Sequence, residues 1–184
     1  MSVKEIEKMT YTDFIAFIQE TNRCPGGKRT IRNIAQNTFL TSTKKVLDVG
    51  SNTGFNSLEF ARLTNCHVSG IDISQTCVAH SNEQLSFEIP EVRENVHFQV
   101  ASAYDIPFEN ESFDLTMVSG ATSFMEEKNR AVEEYYRVTK PWGYIAVTNL
   151  YYRTPPPQTL LVDLREILGV EIKPWTEKDW LNIF

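Results

Sequence analysis

From Lys45 onward the chain alternates short apolar runs with segments of helical spacing, and this alternation constrains the fold more than any other feature. Val46 to Val49 is an apolar strand ending at Gly50. Phe55, Leu58, Ala61 and Arg62 then recur at helical spacing, which predicts a helix over 54–63. Val68 to Ile73 reads as a second strand, and Ser74 as the N-cap of a helix reaching about Phe87. Further strands are predicted at Val96–Val100, Phe113–Val118 and Tyr144–Asn149, the last preceded by Val132, Tyr135 and Val138 at helical spacing. Strands that alternate with helices pair in parallel through right-handed crossovers, with helices on both faces. The expected fold class is therefore α/β, with a doubly wound, mostly parallel sheet.

The flanks differ in texture. Residues 3–20 carry Ile6, Met9, Phe14, Ile15, Phe17 and Ile18, a broken helical stripe; Asn22 to Gly27 reads as a loop because Pro25 and paired glycines punctuate it. A second short helix is expected from about Thr30 to Leu40. Beyond the fifth strand, Gln158 to Leu168 is helical in pattern and Thr176 caps a last short helix. The chain thus divides into an N-terminal helical cover (1–43), a core (44–150) and a C-terminal lid segment (151–184) opening with Pro155, Pro156 and Pro157. At 184 residues it can bury roughly 70% of the surface its unfolded form exposes. Net charge −6 with scattered Lys and Arg disfavours a nucleic-acid partner. No run nears the ~20 apolar residues of a membrane span, and the charged start MSVKEIEKM lacks a signal peptide's apolar stretch, so a cytoplasmic location is the default. Cys24, Cys66 and Cys77 show no pairing and no metal spacing with the three histidines; they read as reduced thiols.

Ligands of such sheets bind beyond the carboxyl ends of the strands. There the first strand gives Asp48-Val49-Gly50-Ser51-Asn52-Thr53-Gly54, a bend that lets backbone approach a ligand with a helix N-terminus behind it. The second gives Asp72, 22 positions after Gly50, an acid placed to accept both ribose hydroxyls of an adenosine cofactor. A dinucleotide fingerprint needs glycines at 50, 52 and 55, and the chain has Asn52 and Phe55 instead.

On these residues the chain resembles the class I S-adenosylmethionine methyltransferases over about 44–150. VLDVGSNTG is similar to their first motif, VSGIDIS to their second, VASAYDIPFENESFDLTMVSG to their third and fourth, and RVTKPWGYIAV to the segment entering their fifth strand. The resemblance implies S-adenosyl-L-methionine as cofactor, with Asp48, Gly50, Ser51, Asn52 and Gly54 along its methionine part and Asp72 on its ribose. Ile73 would lie against its adenine, Ser102, Ala103 and Tyr104 at the adenine edge, and Ser119 beside the methionine. Two positions depart from the pattern: Asn52 stands at the loop's middle glycine, and Ser102 at the usual adenine-side acid. The family also adds two strands after the fifth. They are missing here, so either the chain is a piece of a longer one, or Gly169–Lys173 supplies a partial strand and a homodimer partner covers the open edge.

The activated sulfonium leaves the protein chiefly to align donor and acceptor, which is worth roughly 7–11 kcal/mol of barrier. No side chain stands out as a general base, and the three histidines avoid the strand tips. The acceptor side is assigned to Tyr11, Thr122, Phe124 and Tyr151, together with Phe14, Tyr152 and the Arg23–Arg32 segment, in which Arg29 or Arg32 could pair with the cofactor carboxylate. The sequence reading is a small-molecule methyltransferase. Its rivals are a cofactor-binding module without turnover, an RNA or protein methyltransferase, and a nicotinamide-dependent oxidoreductase.

Overall fold

The computed structural model describes residues 6, 8–18, 20, 21 and 23–184. Most of the predicted N-terminal stripe before Met9, and Asn22 of the predicted loop, lie outside the described residues. Five strands, β1 (Lys45–Val49), β2 (His67–Asp72), β3 (Val96–Val100), β4 (Phe113–Ser119) and β5 (Thr139–Thr148), form one parallel sheet in the order β3-β2-β1-β4-β5. Chain order reverses between β1 and β4, and their carboxyl ends open the crevice where ligands of such sheets sit. Around them run α1 (Tyr11–Phe17), α2 (Gly27–Asn37), α3 (Phe55–Thr64), α4 (Gln75–Ser86), α5 (Pro90–Asn95), α6 (Lys128–Val138), α7 (Gln158–Leu168) and α8 (Glu177–Leu181). No helix among the described residues is long and apolar enough to cross a membrane.

Period-two alternation along β1 explains the layering. Val46 points into a cluster with Ile31, Leu58, Phe60 and Phe98, the α2–α3 side of the sheet. Leu47 and Val49 point the other way, into a cluster with Ile71, Val118, Tyr135 and Val138 against α6. Leu47, Leu115, Met117 and Val118 are wholly buried, as expected of central strands covered on both faces.

Most boundaries follow local chemistry. Ser74 caps α4 by accepting from the Cys77 N–H, and Thr176 forms a capping box with Asp179 at the start of α8. Three expectations need correction. Strand β5 starts at Thr139 rather than Tyr144, because Trp142, at φ 64°, bulges a lead-in out of the ladder; in-register pairing resumes at Leu115↔Tyr144. The short α5 interrupts the expected loop between α4 and β3, with Pro90 at its first turn as its start signal. Gly169–Lys173 is not a strand, and no described segment pairs with the outer edge of β5.

The chain ends fold back over the strand tips. Asp13 of α1 accepts from Ser74 Oγ (2.7 Å), and Thr53 Oγ1 donates to the Glu20 carbonyl (3.2 Å). At the other end, Tyr152 N donates to the Trp175 carbonyl (2.9 Å), Trp180 Nε1 to the Leu150 carbonyl (3.3 Å), and the Trp175 and Trp180 rings meet edge to face at 4.6 Å.

Candidate functional site

At the carboxyl ends of the strands lies a cavity of about 790 Å³, walled by the strand tips and by both ends of the chain. The loop between β1 and α3 forms its floor. Gly50 (φ 69°), Asn52 (φ 47°) and Gly54 (φ 85°) take left-handed conformations, so the loop coils tightly; Asn52 bears the strain better than most side chains would. A Cβ on Gly50 would stand 2.4 Å from that of Ala121, so only glycine lets the loop meet the turn after β4 this closely. The Gly50 and Ser51 N–H groups both donate to the Ile71 carbonyl, at 2.8 and 2.9 Å, tying the loop to the end of β2.

Asp72 completes that junction. Its Oδ2 accepts from Asn52 N and its Oδ1 from Ser74 N, both at 2.9 Å, so the carboxylate and the bend are joined directly. Burial raises its carboxyl above its usual value, against the backbone N–H groups of Ser74, Asn52 and Ile73 that lower it. Each oxygen keeps a further lone pair. Beside it Ile73 is 75% exposed, an apolar side chain left on the cavity rim.

Of the residues read from sequence, Gly50, Ser51, Asn52, Asp72, Ile73, Ser102, Ala103, Tyr104 and Ser119 all line the cavity. The Ser102 hydroxyl accepts from Tyr104 N (3.1 Å), and Ser119 Oγ from Thr148 Oγ1 (3.0 Å). Tyr11 and Phe124 also line it, their rings stacked 6.3 Å apart at 10°, and so do Tyr151 and Tyr152.

Asp48, Gly54 and Thr122 are not in the wall. Asp48 shares the face of Val46, so it points beneath the loop, fully buried, accepting from Ser57 Oγ at 2.7 Å and Asn56 Nδ2 at 3.5 Å. Burial drives its carboxyl up to about 6. Gly54 backs onto Phe98 and Ser81, where a Cβ would come within 2.9 Å of the Phe98 ring. Thr122 is buried against the Tyr135 hydroxyl at 3.2 Å. Arg29 and Arg32 sit exposed on α2 away from the cavity; Arg23, beside Cys24 and Pro25, lines it instead. Phe14 is likewise outside the lining.

Sequence reading missed Lys128, Leu164, Leu168, Ile172, Lys173 and Trp180, which close the C-terminal side. The spacing of Leu164 and Leu168 on α7 was a signal that one face looks inward, but not toward what. Two buried polar atoms of the lining, Ser51 Oγ and Asn56 Oδ1, have no hydrogen-bond partner among the described residues. A site with orphaned polar groups, a close-approach bend and a carboxylate with spare lone pairs is equipped to grip a polar ligand at one end, while its other walls are apolar.

Comparison with known proteins agrees with this fold. Residues 47–147 match the methyltransferase domain family. An uncharacterized protein of Haemophilus influenzae is 32% identical over 174 residues, covering 94% of this chain and 68% of that protein. A ubiquinone/menaquinone biosynthesis C-methyltransferase of Geotalea daltonii is 34% identical over 60% of this chain, which spans 46% of that enzyme. The crystal structure of MccD protein superposes with a TM-score of 0.80 at 27% identity, covering 89% of this chain and 71% of that one.

Proposed function

The chain belongs to the class I S-adenosylmethionine-dependent methyltransferases, and from that membership we propose that it methylates a small-molecule acceptor inside the cavity described above. The observation that carries the reading is the junction of the Asp72 carboxylate with the Gly50–Asn52 bend at the floor of a cavity large enough for two ligands.

Asp72 would take the ribose hydroxyls on its spare lone pairs, and the exposed Ile73 would lie under the adenine with Ser102, Ala103 and Tyr104 at its edge. Gly50, Ser51, Asn52 and Ser119 would flank the methionine part, Ser51 Oγ gaining the partner it lacks. Asp48 and Gly54 would act from behind, by holding the shape of the loop, and Arg23 is the cation best placed for the cofactor carboxylate. Bound there, the sulfonium supplies an already activated methyl group. The chain's own task is then positioning: the Tyr11–Phe124 pair and Tyr151 would hold a flat acceptor in line while the chain ends exclude water. An enclosed, apolar acceptor side favours a metabolite over a macromolecule, in keeping with the quinone-pathway enzyme among its relatives.

Calorimetric titration with S-adenosylmethionine and S-adenosylhomocysteine, followed by a methyl-release assay across amine, hydroxyl, carboxyl and carbon acceptors, tests this. Micromolar binding and turnover on at least one small acceptor are expected. Stabilisation by NAD but not by S-adenosylhomocysteine would refute it, and tight binding without turnover on any acceptor would leave a cofactor-binding module.

A further inference from the structure

The acceptor end of the cavity carries a charge pattern that the cofactor does not explain. Lys128 opens α6, where the helix dipole already presents positive charge, so a lysine there is placed against its own electrostatics. It is 7% exposed, and its Nζ hydrogen-bonds two backbone carbonyls, those of Ser123 and Met125, with the Trp175 ring 5.2 Å away. These contacts satisfy two of three ammonium donors and neutralise none of the charge. Burial lowers its pKa, and the positive charge of nearby Lys173 lowers it further. Neither lysine has an ion-pair partner among the described residues, although both line the cavity.

The acids nearby do not answer them. Glu126 and Glu127 border a separate outer hollow that Lys128 and Lys173 also touch, and Glu127 is paired with Arg130 at 3.3 Å. The one carboxylate in the main lining among the described residues, Asp72, is engaged by two backbone N–H groups. Lys128, a buried cation with no counter-charge and the exposed Lys173 nearby, costs stability in a chain of net charge −6 unless an anion sits against it.

Resting on the cofactor reading above, we propose that the methyl acceptor is an amphipathic acid, whose carboxylate or phosphate is gripped by Lys128 and Lys173 while its flat apolar body lies against Phe124 and Trp180. Both heads offer the shared chemistry of an anion accepting charge-assisted hydrogen bonds. The cofactor's own carboxylate is the competing occupant, and the test separates the two.

The protein is first titrated with S-adenosylhomocysteine, and the saturated protein is then titrated with phenylacetate, phenyl phosphate and neutral phenylacetamide by ligand-observed NMR. At least one acid should bind ten-fold or more tightly than the amide, and the tighter acid names the head. Lys173→Met, an exposed position whose change spares the fold, should reduce that preference to under three-fold, as should Lys128→Met, with S-adenosylhomocysteine affinity held within two-fold. Equal binding of acids and amide, or a preference that survives both substitutions, overturns the proposal. A matching loss of S-adenosylhomocysteine affinity assigns the lysines to the cofactor and overturns it too. Failure of the native chain to bind S-adenosylhomocysteine at all is the separate outcome that removes the cofactor reading, and this inference with it.

Discussion

Asp48 and Asp72 stand at adjacent strand ends, both buried and both raised in pKa by that burial, yet they do different work. Asp72 reaches the cavity, so removing it should be felt by a ligand. In Asp72→Ala the loss of charge-assisted hydrogen bonds worth ~1.5–3 kcal/mol should weaken S-adenosylhomocysteine binding about 10- to 100-fold by calorimetry. Unchanged affinity would remove the ribose assignment. Asp48 should instead be felt by the fold. Its carboxyl is raised from 3.8 in the unfolded chain to about 6 in the folded one, so the folded state favours its protonated form. Its contribution to stability is full below pH 4 and is lost as pH rises through 6, on the order of 3 kcal/mol in total. Asp48→Asn cannot ionise. Relative to the parent protein, this variant should gain stability between pH 4.5 and pH 8 in urea unfolding, and a flat difference across that range would contradict the buried, charge-averse setting of Asp48.

Among the elements, β4 is pinned at its entrance by a single side chain. Asp114 accepts from Lys45 N (2.9 Å) at β1, Lys140 Nζ (2.9 Å) at β5 and Lys44 Nζ (3.0 Å). Burial would raise its pKa, but the hydrogen bonds from Lys140, Lys45 N and Lys44 outweigh it and hold the carboxyl at about 2. A depressed pKa contributes stability above the unfolded value near 4 and loses it as pH falls toward 2. The lysines are about two-fifths exposed, so solvent screening trims the gain to about 1–2 kcal/mol. Asp114→Asn should cost that much at pH 7 and about half as much at pH 3 by urea unfolding; an equal cost at both would show that charge is not what Asp114 contributes. Elements of this kind were legible where their signals are local. Strand Val96–Val100 and helix Gln158–Leu168 match the apolar pattern residue for residue, and Ser74 and Thr176 were readable as caps. The start of β5 was not, because the Trp142 bulge is a property of pairing with β4 rather than of its own residues. The depth of Asp48 is legible in the sequence: it shares parity with Val46, and that parity alone turns it toward α3 rather than the cavity.

For the whole molecule, the cavity joins parts of very different stability. The strands hold wholly buried Val46, Leu47, Leu115 and Val118, whereas α7 and α8 bury no residue completely and α1 packs by a short face of Ile15 and Ala16. This is also why the site was only half legible: the strand tips announce themselves by motif, but Leu164 and Trp180 join the wall only once the C-terminal segment folds across the sheet. Local opening free energies track such differences in burial, so amide exchange should be slowest in β1 and β4 and faster by orders of magnitude in α7 and α8. A ligand seated between floor and covers binds the closed arrangement and not the opened one, and stabilises it by RT ln(1 + [L]/Kd), about 2.7 kcal/mol at a hundred-fold excess over Kd. S-adenosylhomocysteine at that excess should therefore slow exchange not only in the Gly50–Gly54 loop but in α1 and over 150–181, by up to roughly 100-fold where opening breaks contact with the ligand. Protection confined to the loop would mean that the chain ends do not close over the cofactor, and that the acceptor meets a surface rather than an enclosed chamber.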